Sequence, residues 1–258
     1  MKLGNFAKAF APIIAVVMAA GVSGCDASNI TLNGGEGKPL SELDLTGTAP
    51  SELVLLGPDE VRVTTGDKLA ITIEGDDALK DQMRFTLKDG ALGILRKDKT
   101  FSGSGKVAVV NVTMPAPAEL VMAGSGKITA GALASAAKIT IAGSGQIETP
   151  TVAGDSLDVT IAGSGNYRAA GNVKSLKLTV AGSGSAALDA LKADTVKVTI
   201  AGSGSTTFAS DGDVDATIMG SGDVTVKGRA RCKVSAMGSG KLTCETGATG
   251  KAEPASAE

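Results

Sequence analysis

The chain has no histidine and no tryptophan, and only one tyrosine, five phenylalanines and three cysteines among 258 residues. Without histidine there is no Ser-His-Asp or Cys-His catalytic arrangement and no His-containing metal site. Aromatics at 2% leave no platform for stacked bases, and 25 basic against 27 acidic residues give no basic excess. Nucleic-acid binding is therefore not expected. Glycine, by contrast, is abundant: 35 residues, about twice the average proportion. Its regular placement argues for architecture over disorder.

One tripeptide, Gly-Ser-Gly, occurs eight times, with first glycines Gly103, Gly124, Gly143, Gly163, Gly182, Gly202, Gly220 and Gly238. The steps of 18 to 21 residues mark a stacked-repeat architecture. Aligned on the first glycine, the second residue before it is Met122, Ile141, Ile161, Val180, Ile200, Ile218 or Ala236. Four before stand Leu120, Ile139, Val159, Leu178, Val198, Ala216 and Val234, and from Thr140 on the residues between are polar. Such period-two alternation is that of a strand with one buried face. Beyond the turn a second strand leaves the corner, with Ile128, Ile147, Tyr167, Ala186, Thr206, Val224 and Leu242 in phase. Glycine suits a sharp corner repeated on every coil, and the serine hydroxyl is expected to satisfy a turn amide or carbonyl. Identical residue types at identical phase favour parallel stacking over antiparallel hairpins. The expected fold is all-β: a single right-handed parallel β-helix with Gly-Ser-Gly corners, about 34 Å long over seven steps of 4.8 Å.

The amino end reads as a signal. Lys2 and Lys8 precede an apolar run from Ala9 to Ala20, too short to span a bilayer. Val22-Ser23-Gly24-Cys25 resembles the bacterial lipobox, which implies cleavage before Cys25 and a lipid on its thiol. The alternative is ordinary secretion with an incidental thiol. Residues 25–40 read as a flexible tether, 41–118 as irregular opening coils or a cap, 119–246 as regular coils and 247–258 as a disordered tail. In the opening segment, Leu53–Leu56, Val61–Val63, Leu69–Ile73, Met83–Leu87, Ala91–Leu95 and Val107–Val112 are candidate strands. Met114-Pro115-Ala116-Pro117 then interrupts the ladder.

These opening strands, the Met114-Pro115 element and coils such as Leu176-Lys-Leu-Thr-Val-Ala-Gly-Ser-Gly together resemble the auto-transporter adhesin, head GIN domain family over roughly residues 41–246. The resemblance implies a parallel β-helix exported to the cell envelope and supplies no catalytic or binding residues to carry over.

Candidate sites are few. Asp211, Asp213 and Asp215 form the densest acidic group, and oxygen-rich triplets can bind calcium; a plain solvated acidic patch is the alternative. A hydroxyl column, Thr140, Thr160, Thr179, Thr199, Thr217 and Ser235, has the geometry of ice-binding solenoids. Its neighbour, Lys138, Asp158, Lys177, Lys197, Asp215 and Lys233, is charged, which spoils a flat apolar surface. That charged column offers cross-rung pairs at Lys138–Asp158 and Asp158–Lys177. Two readings stand for Cys232 and Cys244 in the last coil. One is a terminal disulfide, permitted in an exported chain. The other is two buried thiols, because opposite solenoid walls lie about 10 Å apart, beyond the reach of a disulfide.

Three functions remain open. The first is a non-enzymatic envelope lipoprotein, held to the membrane through Cys25, whose strand faces meet a protein or polysaccharide. The second is a polysaccharide-acting β-helix enzyme with a carboxylate-lined groove. The third is a structural protein that self-associates through its coil ends. No cofactor is implied by any of them.

Overall fold

A computed structural model describes residues 37–97 and 106–245. The expected signal peptide, Cys25, the corner at Gly103 and the tail from 247 lie outside the described residues. Those described form one continuous sheet wound into a parallel β-solenoid. Its strands are β1 (Glu52–Gly57), β2 (Glu60–Thr65), β3 (Ala70–Glu74), β4 (Met83–Lys88), β5 (Ala91–Arg96), β6 (Val109–Met114), β7 (Glu119–Gly124), β8 (Lys127–Ala130) and β9 (Ala136–Gly143). Then come β10 (Gln146–Gly163), β11 (Asn166–Gly182), β12 (Ser185–Gly202), β13 (Ser205–Gly220), β14 (Asp223–Lys227), β15 (Arg231–Gly238) and β16 (Lys241–Cys244). One helical turn, α1 (Asp77–Lys80), interrupts the opening segment.

The corners stack glycine on glycine: Gly163 lies beside Gly143 and Gly182, Gly182 beside Gly202, and Gly202 beside Gly220. The first glycine of each corner sits at positive φ, +119° at Gly163, where an added Cβ would meet the Gly143 carbonyl oxygen at 2.6 Å. The third has a different reason to be glycine. A Cβ on Gly165 would overlap the Ile141 side chain of the coil beneath. The serine between them acts through its backbone: Ser164 N–H donates to the Gly143 carbonyl at 2.9 Å, and Ser183 N–H to Gly163 at the same distance. No corner serine hydroxyl makes a hydrogen bond within the described residues, so the expected side-chain role passes to the main chain.

Inside, the aligned columns are core. Leu55, Met122, Ile141, Ile161, Val180, Ile200 and Ile218 are all fully buried, each contributing about 1.5–3 kcal/mol through burial. The second column, Ile128, Ile147, Tyr167, Ala186, Thr206 and Val224, is buried too, and its two polar members are satisfied. Tyr167 Oη lies 2.7 Å from Thr149 Oγ1, and Thr206 Oγ1 donates to the Ala186 carbonyl at 3.0 Å. Burial pushes the Tyr167 phenol far above its ordinary pKa, so the hydroxyl stays protonated in the core.

The opening segment departs from simple winding. β1 pairs in parallel with β7 on one side and β5 on the other, while β2 lies between β8 and β6. The coil made by residues 52–65 is therefore inserted between residues 91–114 and residues 119–130, out of chain order. Gly57, paired with Gly124, supplies its corner as Gly57-Pro58-Asp59. β4 then pairs antiparallel with β5, and β3 antiparallel with β6, closing this end.

A buried ion pair fastens the inserted coil. Asp59, fully buried, accepts Arg96 Nε at 2.8 Å, Arg96 Nη2 at 2.6 Å and the Ala108 N–H at 2.9 Å. It joins the corner after β1 to the end of β5 and the approach to β6. Replacing Arg96 by alanine should cost about 3–5 kcal/mol in urea unfolding, because it leaves a buried carboxylate without its cation. Gly163→Ala should lower the midpoint by about 1–3 kcal/mol equivalent through forced backbone strain. Ser164→Ala, which keeps the N–H, should leave it nearly unchanged.

Candidate binding faces

The longest wall (β1, β7, β9, the second halves of β10 to β13, and β15) carries three ordered columns on its outer side. Thr140, Thr160, Thr179, Thr199, Thr217 and Ser235 stack in register. Upstream that column turns apolar, with Val54 and Val121 buried. Beside it, just before the corners, Ala142, Ala162, Ala181 and Ala201 stack in register, giving way to Met219 and Met237 at the far end. Sequence reading overlooked this column because alanine beside a glycine corner looks like part of the turn.

The charged column is a ladder of pairs. Lys177 Nζ lies 3.0 Å from Asp158, as expected. Lys138, however, pairs with Glu119 at 2.9 Å rather than with Asp158. Glu119 is only 5% exposed and lies beside Glu52 in register. Burial, and then the Glu119 charge, push the Glu52 carboxyl above its ordinary pKa. The lysine goes where two poorly hydrated carboxylates meet. On other faces Lys174 pairs with Asp155, Lys127 with Glu148, and Lys227 with Asp189, so charge is largely balanced locally. These exposed pairs are each worth about 0–1 kcal/mol.

The acidic triplet does not converge. Asp211 is held by Lys192 Nζ at 2.7 Å and by the Arg229 N–H at 3.0 Å, which lower its pKa in that order. Asp213 receives both Arg231 Nε and Nη2, at 2.8 and 2.9 Å, and its pKa is lowered by that contact. Asp215 stands between Lys197 and Lys233 in register. Among the described residues, no group of three metal-ligating side chains is placed to hold an ion. Asp211 and Asp213 each face a cation of their own, and the register shift between Ala193 and Thr195 sets Asp211 apart from the other two.

Cys232 and Cys244 are joined as a disulfide, with Cα atoms 6.8 Å apart. The expected wall-to-wall separation of about 10 Å does not hold at these two positions of the last coil, which come within disulfide reach.

Two clefts open on the surface. One, about 530 Å³, lies at the closed end among Leu40, Ile73, Lys80, Gln82, Arg84 and Lys97, where the buried Gln82 Oε1 has no hydrogen-bond partner. The other, about 270 Å³, runs beside the corners from Pro58 to Asn166. Neither brings a nucleophile to a base. Tyr167, Phe85 and Phe208 are buried, so among the described residues no aromatic ring is offered to a sugar. No helix among the described residues is long and apolar enough to cross a membrane. Millimolar calcium should leave the thermal midpoint unchanged; a rise of several degrees, measured by circular dichroism, would mean that the aspartates exchange their cations for the metal.

Several solved structures share the fold. An adhesin from Bacteroides fragilis, so described with the qualifier "putative", is 20% identical, with a TM-score of 0.68 over 76% of this chain and 92% of that one. A "putative lipid binding protein" from Parabacteroides distasonis is 23% identical, with a TM-score of 0.60 over 77% and 94%. A "putative adhesin" from Parabacteroides merdae is 19% identical, with a TM-score of 0.62 over 77% and 92%. No curated protein matches the chain. The family described as "Putative auto-transporter adhesin, head GIN domain" matches residues 49–230, and the chain, with its in-register corners across that span, belongs to it.

Proposed function

We propose that the protein is a non-enzymatic, exported envelope lipoprotein: a rigid solenoid on a lipid-bearing Cys25, presenting its strand faces as an adhesin-like binding surface. The observation that carries this reading is the long wall, whose hydroxyl, alanine and charged columns run in register from β9 to β15 without a cleft that gathers reactive groups. A rigid, periodic face suits an extended partner engaged at many weak points. The names carried by the similar structures, adhesin and lipid binding, support a binding role.

The partner this face fits is a protein or a polar polysaccharide contacted through hydroxyls and charges, because the described residues expose no aromatic ring for stacking. The polysaccharide-enzyme alternative is disfavoured by the same geometry. Glycoside hydrolysis and polysaccharide elimination need carboxylates free to exchange protons, whereas Asp211 and Asp213 are tied to Lys192 and Arg231.

Two measurements test the proposal. Cys25→Ala should abolish incorporation of labelled fatty acid and move the protein from the membrane to the soluble fraction. Retention in the membrane fraction would refute the anchor. Incubated with isolated envelope, the mature protein should sediment with the insoluble material and release no new reducing or unsaturated sugar ends. Their appearance would favour the enzyme.

A further inference from the structure

The two ends of the solenoid differ. At the amino end the antiparallel strands β3 and β4 cover the sheet. At the carboxyl end, among the described residues, β15 pairs only with β13, and β16 only with β14. In the coil before it, Val214, Ala216, Ile218, Val224 and Val226 are at most 3% exposed. Their counterparts in the last coil are not shielded: Val234 is 40% exposed, Ala236 is exposed, and Leu242 is only half-buried. On the outer side Met219 and Met237, where earlier coils carry alanine, are 44% and 76% exposed. Two edge strands and an apolar rim are thus presented together, pinned by the Cys232–Cys244 disulfide.

We propose that this open coil docks against a second copy of the same chain, tip to tip, in a two-fold dimer with each edge strand antiparallel to its own copy. The sequence of β16 is self-complementary about Thr243: Lys241 falls opposite Glu245 of the other copy, twice, and Leu242 opposite Cys244. On β15, a two-fold at Val234 sets Lys233 opposite Ser235, Cys232 opposite Ala236 and Arg231 opposite Met237. Inward residues then meet inward residues, and no like charges face each other. Edge lysines deter indiscriminate strand pairing; paired with Glu245, Lys241 instead selects this register. Residues 246–258 contain no Val, Ile, Leu, Met or aromatic side chain with which to cover the rim. Because the other end is closed, association stops at two copies, as an isologous contact requires, and no filament grows.

Sedimentation velocity of the oxidised mature protein tests this. A two-chain species should accumulate as concentration rises towards about 100 µM. Lys241→Glu should weaken it by about tenfold or more, since glutamates would then face glutamates. The double variant Lys241→Glu/Glu245→Lys should restore it. Both sites are solvent-facing, so circular dichroism should show the variants folded. A single-chain mass throughout, a dimer indifferent to Lys241→Glu, or a loss that the charge swap does not repair would each overturn the proposal.

Discussion

The close approach of one corner to the next governs this molecule. At each first glycine the backbone takes a positive φ and brings its Cα against the carbonyl of the corner beneath, leaving no room for a side chain. That carbonyl accepts the N–H of the serine stacked on it, so each corner is bonded to its neighbours as well as turned. Once corners lie over corners, the strands on either side share phase, and every inward residue lands on its counterpart one coil away. The core columns and the solvent-facing columns are two consequences of the same contact.

The opening segment shows how the winding starts and closes. A regular solenoid would leave its first coil bare, with both edge strands unpaired. Here the chain lays down the coil of residues 52–65, runs outward to build β3, β4, β5 and β6 against it, and returns to continue with β7 on the other side. The inserted coil is thus covered on both sides. Asp59 holds the arrangement at the point where the Gly-Ser-Gly corner is missing: the Gly57 and Asp59 carbonyls still accept N–H groups of the next corner, and the buried carboxylate adds bonds to Arg96 and to the backbone of Ala108. Among the described residues the carboxyl end has no equivalent cover. There a covalent bond between β15 and β16 holds the final coil in place.

For function, the ordering of the outer surface outweighs any single group on it. Charges of both signs share the long wall, two pairs of them joined across rungs, and hydroxyls repeat once per coil. Such a face can match a partner over a distance, and Asp211 and Asp213 of the acidic stretch are each tied to a cation. The family membership and the shared fold fit a scaffold whose faces are its working parts.

Much of this was legible in the chain alone. Period-two alternation around Gly124 to Gly238 determined strand, buried face and parallel phase, because a strand has only two faces and the hydrophobic effect assigns them. The opening strands were readable too, to within a residue or two at their ends. Their order in space was not. Whether residues 52–65 precede or lie between later coils depends on contacts 37 and 49 residues apart in sequence, between Asp59, Arg96 and Ala108. Asp59 beside Pro58 reads locally as an ordinary turn. The choice of Glu119 over Asp158 by Lys138, and the approach of Cys232 to Cys244, were likewise decided only by the tertiary structure. Local pattern determines which way a side chain points, but burial and distance, which set the strength of a charge pair and the reach of a disulfide, exist only after the coils have stacked.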